Sequence, residues 1–474
     1  MNLVRILLVL IFGIFVSRAF FLSVMLRDYY SSEAAGNRVS GRVIEAPKGV
    51  IRDRNGKILA NNVVNNNKTI RFYPDGESFS LLLLVEKQYE KELSGVDGRV
   101  LSEETAKGES TKEIRRIEPE AGIELKLNLD QGLQNIVYRA LKEHLLLTGV
   151  SGSAVVVKVN GEVLSLVSLP SFDPNLFVNG GKRGAEGGTY TDSESVLTDE
   201  NKKPMFNRAI SGVYPPGSIY KLLTATAALE EGALDKNSLI EDTGEIKVGI
   251  YRYGNWYFDK YGRKEGLINI EKALGRSNDI FFYKAGEKVG VDKLVSWSAK
   301  LGLGKKTGID LPSEASGLLP SPLWMEKTNG QRWFLGNTYH LAIGQGDLLT
   351  TPLQMNRLAA AAISGEWCRP QIKQNKSECH NMGTSAENRQ IIMNGMRMAC
   401  MDGGTAFSFF DMKGGVLCKT GTAQHGGEDT KPHAWITVVV DDIVVTVLLE
   451  AAGEGSAEAG PVARKIVDYI LQKF

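Results

Sequence analysis

The strand-like patterns of this chain sit at the two ends of a long helical middle, and that placement leaves few folds open. Runs 153–159 and 162–168 are strand-forming and are joined by Asn160-Gly161, the strongest hairpin signal in the sequence. Near the carboxyl end, 416–423, 434–440 and 443–449 read as three further strands, the last two joined by Asp441-Asp442, and 461–472 reads as a closing helix. Helical patterns fill 218–231, 270–289, 291–301 and 351–364 between them. The two end groups are therefore expected to pair into one antiparallel sheet flanked by helices, an α+β domain. Upstream, 123–129 alternates like a strand, and Asp130 is placed to N-cap a helix running to Leu147.

A chain of 474 residues is too long for one core, so more than one folded unit is expected. Lys plus Arg number 56 against 55 for Asp plus Glu, which leaves no charge excess to hold nucleic acid. Residues 6–26 are apolar apart from Arg18 and two serines, with Arg5 and Arg27 outside them. Fifteen Leu, Ile, Phe and Val residues, at about −0.3 to −0.6 kcal/mol each, outweigh the roughly 2.5–3.5 kcal/mol that Arg18 costs at mid-membrane. The apolar run continues past the small-residue site Ser17-Arg18-Ala19, so the reading is an uncleaved anchor over 1–27 rather than a removed signal. A short stalk over 28–122 is expected next. In it, 50–60 reads as a hairpin around Asn55-Gly56, the asparagine-rich 61–67 as a break, and the charged 89–120 as elongated and weakly patterned. The domain 123–474 follows, with a Gly-rich loop over 179–203. The four cysteines, Cys368, Cys379, Cys400 and Cys418, allow three pairings; no Cys-x-x-Cys pair supports zinc, and structural roles are expected.

One Ser-x-x-Lys occurs, Ser218-Ile219-Tyr220-Lys221, behind Tyr214-Pro215-Pro216-Gly217. A serine attacks a carbonyl only if a base takes its proton, and on a helix the third residue along shares its face, so Lys221 is the base candidate. The lysine must be neutral, and a second nearby cation would help to keep it so. Lys419, in Lys419-Thr420-Gly421-Thr422, sits in a strand-forming run, whereas the other triplet, Lys306-Thr307-Gly308, lies among loop residues. Ser277-Asn278-Asp279, expected on a helix beginning after Gly275, lies between the two in sequence. The five histidines are scattered, and His433 is expected to support the strand beside Lys419.

The order of Ser-x-x-Lys, Ser-x-Asp and Lys-Thr-Gly-Thr resembles that of the class B penicillin-binding proteins, the cell-elongation type above all. Also similar are Gly49-Val50-Ile51-Arg52-Asp53-Arg54-Asn55-Gly56, Pro170-Ser171-Phe172-Asp173-Pro174-Asn175, Ile343-Gly344-Gln345-Gly346, Thr351-Pro352-Leu353-Gln354 and Gly403-Gly404-Thr405-Ala406, in the family's order. The resemblance implies a penicillin-binding-protein/β-lactamase-like transpeptidase fold on a short β-rich stalk with one transmembrane helix. It implies a D,D-transpeptidase of the bacterial cytoplasmic membrane, catalytic domain outside, that cross-links peptidoglycan stem peptides and is acylated by β-lactams. Ser218 would be the nucleophile, Lys221 its base, Ser277 a proton relay and Lys419 the second cation. Thr420, Gly421 and Thr422 would bind substrate, with the Ser218 and Thr422 N–H groups as oxyanion hole. Neither cofactor nor metal is implied. A polytopic SEDS-family glycosyltransferase and elongation-complex proteins are the implied partners.

Two features depart from the pattern. Asp279 stands where many relatives have Asn, and a carboxylate beside Lys221 would raise rather than lower its pKa. The stalk is also shorter than the family's usual module. A β-lactam-hydrolysing or β-lactam-sensing protein with the same motifs, and a catalytically idle scaffold, are the alternatives.

Overall fold

Strands that read as near-continuous apolar runs have both faces covered, and 433–440 and 443–449 are of this kind, every residue in them being buried. The computed structural model of the chain describes residues 2–36, 39–65, 68–104, 110–178, 188–412, 414–427 and 430–474. They form two compact units, 1–49 with 91–123, and 50–90 with 124–474.

In the larger unit, helix α1 (Gln131–Thr148) precedes strands β1 (Gly152–Lys158) and β2 (Val163–Leu169). Asp130 caps α1 by accepting from the Leu133 N–H at 2.9 Å, as its sequence position predicts. Strands β3 (Val416–Ala423), β4 (His433–Val440) and β5 (Ile443–Leu449) come from the far end of the chain. The spatial order is β3-β4-β5-β1-β2, antiparallel throughout, with Val156 opposite Val445 and Ala154 opposite Val447. The single sheet closed by both ends of the domain is thus what forms.

Helices α2 (Lys221–Glu230), α3 (Asp279–Val289), α4 (Pro352–Ser364) and α5 (Gly460–Lys473) complete the layers with α1. On one face Leu133, Val137 and Leu141 of α1 and Val462, Ile466 and Val467 of α5 share a core with Val156, Ile436 and Val445. On the other, Leu222 and Leu223 of α2 and Leu358 of α4 share one with Trp435, Val439 and Val444. Each fully buried aliphatic side chain contributes about 1.5–3 kcal/mol, so a sheet covered twice holds its strands in one register. The Thr351-Pro352-Leu353-Gln354 motif explains itself here: Thr351 and Gln354 exchange side-chain-to-backbone hydrogen bonds at 3.1 and 2.8 Å, a capping box with Pro at the first turn of α4.

Segment 50–90, placed in the stalk by its sequence, packs within the larger unit. Strand Ile51–Arg52 pairs with Ile58–Asn65 and, in parallel, with Leu125–Lys126. The turn between the first two is built on Asp53, fully buried, whose carboxylate accepts from the Asn55, Lys57 and Gln131 N–H groups. The expected break at 61–67 does not occur before Asn65, because the asparagines continue a strand that pairs with Lys68–Phe72; residues 66 and 67 lie outside the described residues. The strand predicted over 123–129 shortens to Leu125–Lys126. Of the loop 179–203, residues 179–187 lie outside the described residues, and Ser193–Thr198 is a short helix capped by Asp192.

In the smaller unit a helix over Asn2–Phe20, continued by a wider turn at Phe21–Met25, contains a 23-residue stretch, Leu3–Met25, long and apolar enough to cross a membrane. Strands Val39–Ile44 and Ser110–Ile117 flank Gly98–Glu104 in an antiparallel sheet. The stretch 89–120 is therefore more regular than its charges suggest; the inward positions of the central strand are Gly98, Val100 and Ser102, which give almost no hydrophobic signal.

Candidate active site

Two prolines and a glycine set up the serine. Gly217 has φ of 54°, a backbone conformation that favours glycine, and its N–H donates to the Gly344 carbonyl at 2.8 Å. The approach is close enough that a Cβ on Gly344 would lie 2.2 Å from Gly217 O, which accounts for the glycine at that place in Ile343-Gly344-Gln345-Gly346. Ser218 then lies in a single 3₁₀ turn, Gly217–Tyr220, and α2 begins at Lys221. Three-residue periodicity brings side chains at i and i+3 over one another, so the turn serves the Ser-x-x-Lys spacing better than the α-helix expected from sequence. Ser218 is half-buried and Lys221 fully buried.

Ser277 is not inside a helix, contrary to the expectation for 270–289. A first helix, Ile270–Arg276, stops at Ser277, whose φ is 52°, and Asn278 starts α3 by accepting from the Phe281 N–H at 2.9 Å. The break turns Ser277 toward both lysines. Lys221 Nζ donates to Asp279 Oδ1 at 2.7 Å, to the Ser277 carbonyl at 2.8 Å and to its Oγ at 3.4 Å. Lys419 Nζ donates to the same Ser277 Oγ at 2.9 Å and to the Thr420 carbonyl at 2.9 Å.

Three residues that sequence reading passed over hold this loop. Asp242 is buried, and its carboxylate accepts from Gly244 N, Asn255 Nδ2, Glu265 N and Asn278 Nδ2 at 2.8–3.0 Å. Asn255 Oδ1 in turn accepts from the Asp279 N–H at 3.1 Å, and Asp279 Oδ2 accepts from the Trp256 N–H at 3.0 Å. No local motif marks them, since their partners come from four separate segments; the one available signal is a lone aspartate that ends buried.

Lys419-Thr420-Gly421-Thr422 lies on β3, the edge strand, beside the serine turn. A Cβ on Gly421 would stand 3.1 Å from Ile219 Cγ1 and 3.2 Å from Pro216 O, so any side chain there would press strand and turn apart by a few tenths of an ångström. The Trp435 indole N–H donates to Pro215 O at 3.1 Å and fixes the turn to the sheet. Thr420 and Thr405 hydroxyls are 2.8 Å apart, and exposed Thr422 accepts from the Gly455 N–H at 3.2 Å. Lys306, by contrast, is exposed in a loop whose Thr307 and Gly308 N–H groups donate to Glu314, far in role from any strand edge. His433 accepts from the Ala451 N–H through Nδ1 at 3.0 Å, a strand support as predicted; burial, then His425 stacked on it, push its pKa down to about 4.

Burial pushes the pKa of Lys221 below the ordinary lysine value, and Asp279 opposes that shift. Lys419 is held well below, by burial first and the neighbouring Lys221 second. On the sequence reading Lys221 is the neutral base and Lys419 the second cation. The Asp279 carboxylate pairs with Lys221 and opposes that neutrality, while the two amines meet through one hydroxyl.

The disulfides are Cys368–Cys379, closing a hairpin of Glu366–Cys368 with Cys379–Asn381, and Cys400–Cys418. Glu366 lies near the first pair, whose sulfurs are bonded to each other and not presented as thiolates.

Fold and site together define the class of proteins that carry Ser-x-x-Lys, Ser-x-Asp/Asn and Lys-Thr-Gly around one helix-covered antiparallel sheet. The family model for the penicillin binding protein transpeptidase domain matches residues 152–468. The peptidoglycan D,D-transpeptidase MrdA of Escherichia coli K12 is 31% identical over 430 residues, 82% of this chain; the chain spans 64% of that relative's length. The structure of Pseudomonas aeruginosa PBP2 in complex with WCK 5153 is similar with a TM-score of 0.76 at 29% identity, covering 91% of this chain and 97% of that one. A chain in a peptidoglycan synthase complex that coordinates polymerization and crosslinking is similar with a TM-score of 0.81 at 25% identity, covering 100% and 98%. The chain belongs to the penicillin-binding protein transpeptidase family, as a PBP2-like class B member.

Proposed function

We propose that this protein is a serine D,D-transpeptidase that cross-links peptidoglycan stem peptides during wall elongation, and that β-lactams acylate the same serine. The observation that carries the reading is the meeting of Lys221 and Lys419 on the Ser277 hydroxyl, next to the Ser218 turn. Ser218 Oγ attacks the carbonyl of the penultimate D-alanine while its proton passes to Lys221; the ester bond forms as the amide bond to the terminal D-alanine breaks. Ser277, whose hydroxyl both amines reach, relays a proton to the departing amine. The acceptor amine of a second stem peptide then attacks the ester, and Ser218 takes back its proton. N–H groups of Ser218 and Thr422 serve as oxyanion hole, with Thr420, Gly421, Thr422 and Lys419 at the substrate's terminal carboxylate. Asp279 sets the proton balance of the lysine pair.

Residues 1–27 act as the membrane anchor, 28–122 as stalk apart from 50–90, which packs in the larger unit, and 123–474 as the catalytic domain outside the cytoplasmic membrane, where the substrate is. The candidate span Leu3–Met25 supports the anchor. A polytopic SEDS-family glycosyltransferase and further elongation-complex proteins are the proposed partners, supported by the likeness to a chain of a peptidoglycan synthase complex. The test is incubation of full-length protein with a fluorescent penicillin. A long-lived adduct on the wild type and none on Ser218→Ala is expected; steady turnover of the penicillin, or labelling of Ser218→Ala, overturns the reading.

A further inference from the structure

We propose that Thr405 is a positioning residue for the substrate's carboxylate, held in place by a strap, 400–406, that is tied to β3 by the Cys400–Cys418 disulfide. The proposal rests on the transpeptidase reading above. A hydroxyl has one proton and two acceptor lone pairs; if a donor fills a lone pair from behind, its proton is left to point at an anion in front. Thr422 is arranged in this way by a group that can only donate, the Gly455 N–H at 3.2 Å. Thr420, on the same face of the strand two residues earlier, has as its partner the Thr405 hydroxyl at 2.8 Å. At rest the Thr420 hydroxyl donates to Thr405 Oγ1; a carboxylate arriving in front of Thr420 turns that proton forward, and the Thr405 hydroxyl proton rotates to donate in behind it. The two bonds polarise one another, so the effect of Thr405 depends on the charge of the ligand.

The strap has little freedom to move Thr405 away. Cys418, adjacent to Lys419, is bonded to Cys400. The Ala406 N–H donates to Ala399 O and the Gly404 N–H to Met401 O, each at 2.8 Å, and Arg276 donates to Gly403 O. A Cβ on Gly404 would stand 2.3 Å from Met398 O, so the loop lies flat on the end of the helix Ala386–Ala399. Residues on either side of Thr405 are thereby fixed to the Ser277 side, through Arg276, and to the Lys419 side, through the disulfide.

The experiment uses full-length protein in detergent and two thioesters of an N-acylated D-alanine, identical except that the leaving group ends in a carboxylate in one and a carboxamide in the other. Thr405→Val is expected to lower kcat/KM for the carboxylate substrate about three- to ten-fold, mostly through KM, and to leave the carboxamide within about two-fold. Thr405→Ser is expected to restore the preference, and Cys400→Ala with Cys418→Ala to weaken it. Equal losses on both substrates would mean a merely structural threonine and overturn the proposal, as would no loss on either. If Thr405→Val does not fold, Thr405→Ala and Thr405→Ser are read by the same ratio. Full preference in the double cysteine variant overturns the role of the strap. A wild type that neither turns over the thioesters nor takes the fluorescent penicillin fells the transpeptidase reading instead, whereas an active wild type with an unchanged ratio in Thr405→Val fells only this one.

Discussion

Lys221 Nζ and Asp279 Oδ1 are 2.7 Å apart in a site where the lysine is fully buried and the aspartate nearly so. The aspartate is held from the other side, its carboxylate by the Trp256 N–H and its backbone N–H by Asn255, which fixes the carboxylate against the proposed base.

The first prediction follows from the sign of that contact. Acylation requires a neutral lysine, so its rate rises with pH through the depressed titration of the lysine pair, below the ordinary lysine range. Asp279 raises Lys221, so Asp279→Asn removes the raising influence and moves the ascending limb to lower pH. Penicillin acylation rates measured across pH for both proteins check this; a limb that stays or moves up contradicts it.

Lys419 and Lys306 separate two identical triplets. Lys419→Ala is expected to slow acylation by about a hundred-fold or more, the usual weight of a proton-transfer group. Lys306→Ala is expected to leave it unchanged, as an exposed loop residue should. The reverse pattern in a labelling time course would move the site to the wrong triplet.

Asp242 touches no proposed reacting atom, yet four donors converge on it. Asp242→Ala leaves them buried without an acceptor and is expected to cost roughly 2–5 kcal/mol of stability, with acylation lost as the Ser277 break relaxes. Denaturant unfolding followed alongside penicillin binding reads both. Full stability with full binding would show that the network is not what holds Asp279.

Gly344→Ala tests the fit between the serine turn and its support. The added methyl would lie 2.2 Å from Gly217 O, at a residue whose φ of 75° already disfavours a side chain. A displacement of Ser218 by about 1 Å is enough for a loss of about a hundred-fold, so acylation should fall at least that far. Unaltered kinetics would mean that the turn does not depend on this contact.

How much of this was legible in the sequence varies with the reach of the interaction. The 153–168 hairpin and the strands at 433–449 declare themselves because both depend on local composition, and Asp130 because a cap is a contact within one turn. Lys419 could be told from Lys306 by its flanks alone. The break at Ser277 could not be seen: residues 270–289 keep an apolar helical pattern across it, and what ends the first helix is a backbone turned to positive φ by contacts with 242, 255 and 256. Strand Gly98–Glu104 was missed for the opposite reason, since of its inward residues Gly98, Val100 and Ser102 only the valine is apolar, too little for a period-two signal. The resemblance already set Asp279 beside Lys221, but the contacts that hold it there, from Asn255 and Trp256, lay beyond reading because they join separate segments.

The sheet that carries Lys419 is completed only by pairing β5 with β1, Leu448 lying opposite Ser153. Contacts so far apart along the chain make for slow folding, because the loop between them must close before any contact rewards it. The consequence is temporal: while strands 416–449 are still being synthesised, the segment with Ser218 and Lys221 has no docked β3 to face, so the proposed acylation waits for the far side of the sheet to be made.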